Sequence, residues 1–324
     1  MIKSLTIGTL TLRNNLILAP MAGITNLPVR LLARQHGASL CFTEMVSTEG
    51  LVRNGKKTLE LLQSSRDDRP LGVQVFGHDP QQVAEGVRAV EEYGDLIDIN
   101  MGCPVKKVVN SGAGSALLRK PEKVKDMVRA ARRATKLPLT IKIRTGWDVS
   151  EHTFLEIARI AEDEGCDAIT LHPRNRMEMF DGKADWDRIS ELKDSTGLPV
   201  IGSGDLFSAC DIKDMFERTG CDGAMVARGV LGNPWIFSEA SALLEGREHE
   251  TPSPRERLAT ALRHMEMLIS LLGENAALRE LRKHLAWYTK GLPGAAQVRD
   301  AINRTEKRED LEEILYRFFS RDGQ

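Results

Sequence analysis

Eight short, predominantly apolar runs, most of them ending at a polar residue or a glycine, limit how this chain can fold more than any other feature. They cover residues 16–19, 40–43, 72–76, 96–99, 139–143, 168–171, 199–202 and 223–226. Runs of this kind leave no face for water, so they suit strands buried on both sides in a parallel sheet wrapped by helices. The segments between them carry helix signals. Asp79-Pro80 reads as an N-cap with proline at the first helical position, followed by Val83, Val87 and Val90 on one face. Val124, Met127, Val128 and Ala131 line a second helix whose other face is rich in Lys and Arg. Ser150 and Gly165 bracket a third, and Ser208 with Asp211 opens a fourth as a capping box that ends near Gly220. Strands alternating with helices predict an α/β fold, a (β/α)8 TIM barrel over residues 1–245. Residues 5–12 read as a small hairpin that plugs the barrel floor. After a Thr251-Pro-Ser-Pro254 linker, only helical spacings remain (Leu258, Leu262, Met265, Leu268, then Leu278, Leu281, Leu285), so residues 250–324 form an all-helical domain.

Charge and cysteine usage narrow the function classes. No apolar run approaches the roughly 20 residues that span a bilayer, so a cytoplasmic protein without membrane contact is expected. The five cysteines are scattered without a Cys-x-x-Cys pair, which argues against an iron–sulfur cluster, a structural zinc or a disulfide framework. The formal net charge is −1, yet residues 279–308 carry eight basic side chains against three acidic ones. That stretch reads either as a surface that follows a phosphate backbone or as a solvated helix face. Trp287 and Tyr288 within it read either as RNA contacts or as helix core. Nothing in the pattern demands a protein partner, and a monomer is expected.

In a barrel of this type the carboxyl ends of the strands build the active site. Here they offer Pro20-Met21-Ala22, Glu44, Gln74, Asn100, Lys142, His172, Gly202-Ser-Gly-Asp205 and Ala227-Arg228. After Asn100 the chain turns through Met101-Gly102 to one thiol, Cys103, beside Pro104. A lone cysteine in such a turn is often inert packing, but a ring of polar strand ends around it points to chemistry. Gly202, Gly204 and Gly229 near Arg228 and Lys142 suit close approach of a phosphate. The Gln74 amide can both donate to and accept from a heteroaromatic ring, and Lys142 would stabilise an anionic reduced flavin. These residue types suggest flavin mononucleotide. No strand–G-x-G-x-x-G–helix unit announces a dinucleotide fold, and no metal site is expected.

Several segments are similar to the tRNA-dihydrouridine synthases. They are Leu18-Ala-Pro-Met-Ala-Gly23, Val73-Gln-Val-Phe76, Asp98-Ile-Asn-Met-Gly-Cys-Pro-Val-Lys-Lys107, Gly112-Ala-Gly-Ser-Ala-Leu-Leu118, Leu171-His-Pro-Arg-Asn-Arg176, Ala184-Asp-Trp186 and Gly229-Val-Leu-Gly-Asn-Pro-Trp-Ile-Phe237. Arg282-Lys-His-Leu-Ala-Trp-Tyr288 and Gly291-Leu-Pro-Gly294 resemble the family's helical tRNA-binding domain. The resemblance implies an FMN enzyme that uses NADPH to reduce uridines of tRNA to 5,6-dihydrouridine. It implies FMN held by Pro20, Met21, Ala22, Gln74, Lys142, His172, Ser203, Gly204, Asp205, Ala227 and Arg228, with Cys103 as proton donor. Asn100, Arg174 and Arg176 are candidates for the substrate base, and Arg282, Lys283 and Arg299 for the tRNA backbone. Three positions depart from the family pattern: Ser203 where Asn is usual, Ala227 where Gly is usual, and Asn175 where Thr is commoner.

The chemistry of uracil sets the expected roles. Hydride addition at C6 leaves negative charge on C5 and the C4 oxygen, and C5 then takes a proton from the opposite side of the ring. A thiol that stays protonated at neutral pH is suited to that donation, so Cys103 is expected to act as an acid with no strong depression of its pKa. A flavin barrel acting on a free pyrimidine shares this logic but leaves the helical domain without a role. A tRNA-binding chaperone on a retired barrel leaves Cys103, Lys142, His172 and Arg228 without one.

Overall fold

The computed structural model describes residues 1–53, 55–150 and 152–320. A hairpin of β1 (Leu5–Ile7) and β2 (Leu10–Leu12) precedes the barrel. The barrel sheet comprises β3 (Leu16–Leu18), β4 (Leu40–Phe42), the two-residue β5 (Val46–Ser47), β6 (Leu71–Phe76), β7 (Leu96–Asn100), β8 (Leu139–Arg144), β9 (Ala168–His172), β10 (Val200–Ser203) and β11 (Gly223–Val226). All neighbours in this sheet run parallel, and β4 pairs with both β3 and β6, so eight strands close into a barrel. β5 is a spur on β6 outside the sequence-predicted set.

Burial explains why the strands read as predominantly apolar runs. One face of each strand packs outward on the helices, in a cluster that includes Leu16, Leu18, Val73, Val75, Ile97, Ile99, Ile141 and Ile143. The other face points into the barrel, where Ile17, Ala19, Leu40, Phe42, Leu96, Ile201 and Met225 meet Leu5, Ile7 and Leu12 of the hairpin. The hairpin therefore closes the floor, and the strands' carboxyl ends remain the open face. The helix Pro80–Val90 starts at Asp79, whose side chain accepts the Gln82 N–H, and Ala209–Thr219 carries the Ser208–Asp211 capping box and stops at Gly220. The helix Phe154–Asp163 begins at Thr153 rather than Ser150. The Ser150 amide and hydroxyl instead donate to Asp148 Oδ1, at 2.8 and 2.6 Å, so a local turn captures the expected cap.

Beyond the barrel helix Ile236–Leu244 lie four more helices: Pro254–Leu272, Glu274–Tyr288, Ala295–Arg304 and Arg308–Ser320. Ser253, within the expected linker, caps the first through a capping box with Glu256. Residues 321–324 of the expected helical domain lie outside the described residues. The four helices share an apolar cluster of Met265, Leu268, Leu281, Leu285, Ile302, Leu311, Leu315 and Phe319, joined from the barrel side by Trp235. Barrel and helices meet tightly at Gly232 (φ +69°). A Cβ there would lie 2.2 Å from the Trp287 carbonyl oxygen, so only glycine fits. No helix among the described residues is long and apolar enough to cross a membrane.

Candidate active site

β7 ends at Asn100, and that side chain shapes the turn leading to Cys103. Its Oδ1 accepts the N–H groups of Gly102 (3.2 Å) and Cys103 (2.9 Å), folding the turn back on itself. From behind, Ser115 donates its N–H to the Cys103 carbonyl (3.0 Å) and its hydroxyl to that of Gly102 (2.8 Å). Asn100 Nδ2 donates to Gln74 Oε1 (2.9 Å), Gln74 Nε2 donates to Asp98 Oδ2 (2.7 Å), and the Thr140 hydroxyl donates to Asp98 Oδ1 (2.6 Å). Parallel register makes this chain possible, because Gln74 lies beside Asp98 and Asn100 beside Lys142. Burial raises the Asp98 carboxyl to about 6, against the hydrogen bonds from Thr140 and Gln74.

The barrel mouth holds a cavity of about 440 Å³. It brings together Pro20, Met21, Ala22, Asn100, Cys103, Lys142, His172, Ser203, Gly204, Asp205, Ala227 and Arg228. Burial pulls the Lys142 ammonium down to about 8, helped by the charge of Arg144, and pulls Arg144 itself to about 10. Burial raises the Cys103 thiol above its ordinary value, outweighing the Val105 amide and the charges of Arg144 and Lys142. The thiol is therefore protonated at neutral pH. Burial, reinforced by the surrounding cations, keeps His172 neutral. Arg174 Nη1 lies 3.1 Å from His172 Nε2, and a guanidinium can only donate, so the imidazole proton resides on Nδ1.

Arg174 is placed differently from a base contact. It is 1% exposed and grips both oxygens of Asp205, at 3.0 and 2.7 Å, while also donating to the carbonyls of Asp181 and Gly182. That grip holds Asp205 at φ +55°, a left-handed conformation rare for a residue with a Cβ. Burial opposes the Asp205 charge, but hydrogen bonds from Arg174 and the Ala184 amide prevail and hold the carboxyl below its usual range. Gln74 lies beneath the cavity, its amide engaged with Asp98 and Asn100. Arg176 lies beyond the cavity wall, stacked on Trp147 at 4.9 Å.

Of the helical-domain residues, Arg282 donates to the Thr305 carbonyl (3.2 Å), Lys283 pairs with Glu280 beside Gly23, and Arg299 is exposed. Tyr288 is core, its hydroxyl 3.2 Å from His264 Nδ1. Trp287 packs edge-on against buried His284. Two glycines expected to admit phosphate have packing roles. A Cβ at Gly202 would strike Met215 Sδ at 2.6 Å, and one at Gly229 the Leu206 carbonyl oxygen at 2.1 Å. The Ser203 hydroxyl donates to the Met225 carbonyl (3.0 Å), so this departure from the family pattern ties two strand ends together. Arg144 and Phe180 line the cavity without having been singled out. Arg144 was legible in principle, since the alternation Lys142-Ile143-Arg144 sends two cations to the same face.

The lining suits a flat, anionic, phosphate-bearing heteroaromatic group. Lys142, Arg144 and Arg228 face it, and the carboxylate among them, Asp205, is already committed to Arg174. At Gly204 (φ +112°) the backbone is bare, and a Cβ would crowd the His172 ring at 3.0 Å. The dihydrouridine synthase (Dus) family model matches residues 17–321. The chain belongs to the dihydrouridine synthase family. It is thus an oxidoreductase. It is 40% identical over 316 residues to "tRNA-dihydrouridine synthase B" of Pseudomonas syringae pv. tomato, covering 97% of this chain and 94% of that one. It is 38% identical to "Probable tRNA-dihydrouridine synthase" of Mycobacterium tuberculosis, over 97% of this chain and 84% of the other. Among solved structures, the old yellow enzyme homologue of Zymomonas mobilis superposes with a TM-score of 0.57 at 11% identity, over 78% of this chain and 95% of that one. Histamine dehydrogenase of Rhizobium sp. 4-9 gives 0.56 at 13%, over 82% and 50%. At such identities these two likenesses concern the barrel fold alone.

Proposed function

We propose that this protein reduces specific uridines of tRNA to 5,6-dihydrouridine, with FMN bound in the barrel and NADPH as reductant. The observation that carries this reading is the Cys103 thiol, held by Asn100 at the wall of a cation-lined cavity. Residues 1–245 would form the FMN-binding barrel and the helices from about 250 onward the tRNA-binding domain. Pro20, Met21, Ala22, Lys142, His172, Gly204, Asp205 and Arg228 would hold the flavin, with Ser203 and Ala227 supplying backbone. Gln74 would act one layer below by holding Asn100. When bound, FMN supplies hydride transfer, directed to C6 of the uracil ring.

The chain's own groups do the rest. Cys103 delivers its proton to C5, so that hydride and proton together saturate one double bond, and the thiolate recovers a proton from solvent. Lys142 and Arg144 offset the charge that develops on the uracil carbonyl, where fixed cations in a poorly solvated site act most strongly. Neutral His172 donates through Nδ1 and does not compete as an acid. The target base must leave the tRNA fold to enter the barrel. Within residues 279–308, Arg279, Lys290, Arg299 and Lys307 have no carboxylate partner among the described residues and are free to meet phosphates. The test is single-turnover reduction of an unmodified tRNA transcript by the NADPH-reduced protein, with dihydrouridine mapped by position. Flavin reoxidation coupled to dihydrouridine supports the reading. Reoxidation by oxygen alone, with no dihydrouridine, overturns it.

A further inference from the structure

A second cationic feature sits on the barrel rim, apart from both the cavity and the helical domain. Arg119 lies 5.1 Å and Arg176 4.9 Å from the centre of one indole, Trp147. Trp147 is in the loop after β8 and Arg176 in the loop after β9, the strands whose ends supply Lys142, Arg144 and His172. The two loops are laced together by main-chain hydrogen bonds. Thr145 N–H donates to the Arg174 carbonyl (3.2 Å), Arg176 N–H to that of Gly146 (3.0 Å) and Met177 N–H to that of Trp147 (3.2 Å). The Thr153 hydroxyl ties the same loop to the Leu118 carbonyl (2.8 Å), which anchors the segment carrying Arg119.

Arg176 is half-buried here, and among the described residues no carboxylate pairs with it. Its contacts are the Trp147 ring and Met177 Sδ (3.1 Å), and its Nε is buried without an acceptor. Arg174, two residues away, spends its donors on Asp205 and two carbonyls. A partly desolvated guanidinium with an idle donor is unfavourable alone. The Nε is closed to solvent, so an anion would be met at the Nη edge, where the protein offers only the weak Met177 Sδ acceptor and where a planar guanidinium matches a phosphate. Exposed Met177 and Val149 extend the ledge with apolar surface, which suits ribose and unstacked bases.

We propose that Arg176, backed by Trp147 and Arg119, is a phosphate seat on the barrel itself, taking the RNA backbone next to the uridine that enters the cavity. This rests on the proposed tRNA activity and adds a contact close to the reacting base. The 2′-phosphate of NADPH offers the same chemistry, so the test must separate the two sources.

The experiment measures binding of an unmodified tRNA transcript to the flavin-loaded protein across a salt series, for wild type, Arg176→Gln, Arg176→Lys and Trp147→Ala. The bound-flavin spectrum and thermal midpoint report the fold. Arg176→Gln should weaken binding about tenfold and lower the slope of log affinity against log salt by about one. Arg176→Lys keeps the charge and should keep the slope. Trp147→Ala should weaken binding, because the guanidinium loses its backing, while keeping the slope, because the charge remains. Unchanged affinity and slope in Arg176→Gln, or equal slope loss in the Lys and Gln variants, overturns the proposal. NADPH binding to the same variants is titrated in parallel, and an Arg176→Gln defect confined to NADPH binding also overturns it. Binding is read without turnover, so a wild type that binds tRNA but makes no dihydrouridine counts against the function alone.

Discussion

Asn100 Oδ1 accepts the Cys103 N–H at 2.9 Å, so the residue that ends β7 also sets the position of the thiol three residues later. The same amide reaches down through Gln74 to the buried Asp98. A chain of buried polar groups is valuable when complete and costly when broken. Asn100→Ala would leave the Gly102 and Cys103 amides and Gln74 Oε1 without their partner. The expected outcome is a thermal destabilisation of about 1–3 kcal/mol, with a larger fractional loss of tRNA reduction than of bound flavin.

Cys103→Ala removes the proposed acid and leaves the cation-lined cavity in place. It should retain bound flavin and NADPH oxidation while losing dihydrouridine formation by about 10²-fold or more, the usual scale for a positioned acid. Quantifying dihydrouridine in single turnover checks this, and normal product formation would exclude Cys103 as the donor.

Lys142 carries the pH dependence. Its pKa is lowered to about 8, so the ammonium is intact below that value and lost above it, before the raised Cys103 thiol ionises. The proton-coupled step should therefore decline above pH 8 or so. In Lys142→Arg the decline should move to higher pH. A pH–rate profile of single-turnover reduction distinguishes the two.

The junction between barrel and helices should fail first in acid. Burial holds His264 at about 4, and burial with its neighbours His264 and Lys283 holds His284 at about 2, both below the ordinary histidine value of 6.5. The unfolded chain thus binds more protons than the folded one below pH 6.5. Stability is complete above that point and falls as pH drops, by up to about 1.4 kcal/mol per pH unit for each histidine. Urea midpoints at neutral pH and at about pH 5 should differ by more in wild type than in His264→Gln.

Gly232→Ala tests the same junction sterically. A Cβ would collide with the main chain at Trp287 and Tyr288, and φ +69° disfavours any side chain there. The expected result is faster proteolysis between barrel and helices, with a raised KM for tRNA. An unchanged digestion pattern would show that the helices can yield.

Much of the fold was legible because a barrel strand buried on both faces is mostly apolar, as Ile97, Ile141 and Val226 show, with polar residues such as Gln74, Asp98 and Lys142 kept for the site. The spur at Val46–Ser47 was not, since two residues carry no period. The Ser150 cap was misread because Asp148 competes for the same groups two residues away. Within the site, strand-end position pointed to most of the cavity residues, though Gln74 lies beneath the cavity and Gly202 packs against Met215. Sequence says nothing about which side chains engage one another. Arg174 and Asp205 are 31 positions apart, and only folding shows that one exists to hold the other. Gly202 and Gly229 illustrate the converse, because a glycine that admits a ligand and one that admits a methionine or a carbonyl look alike in a string of letters.

The contact at Gly232 has a bearing on how relatives of this chain can diverge. With the Trp287 carbonyl seated against a residue that has no side chain, the helices have one angle at which to sit on the barrel. In the proposed function that joint works as a jig, presenting the nucleic acid at a set tilt to chemistry that never needs to change. A shift in which base is reached could then arise at the joint and the outer helices, while Asn100 and Cys103 stay untouched.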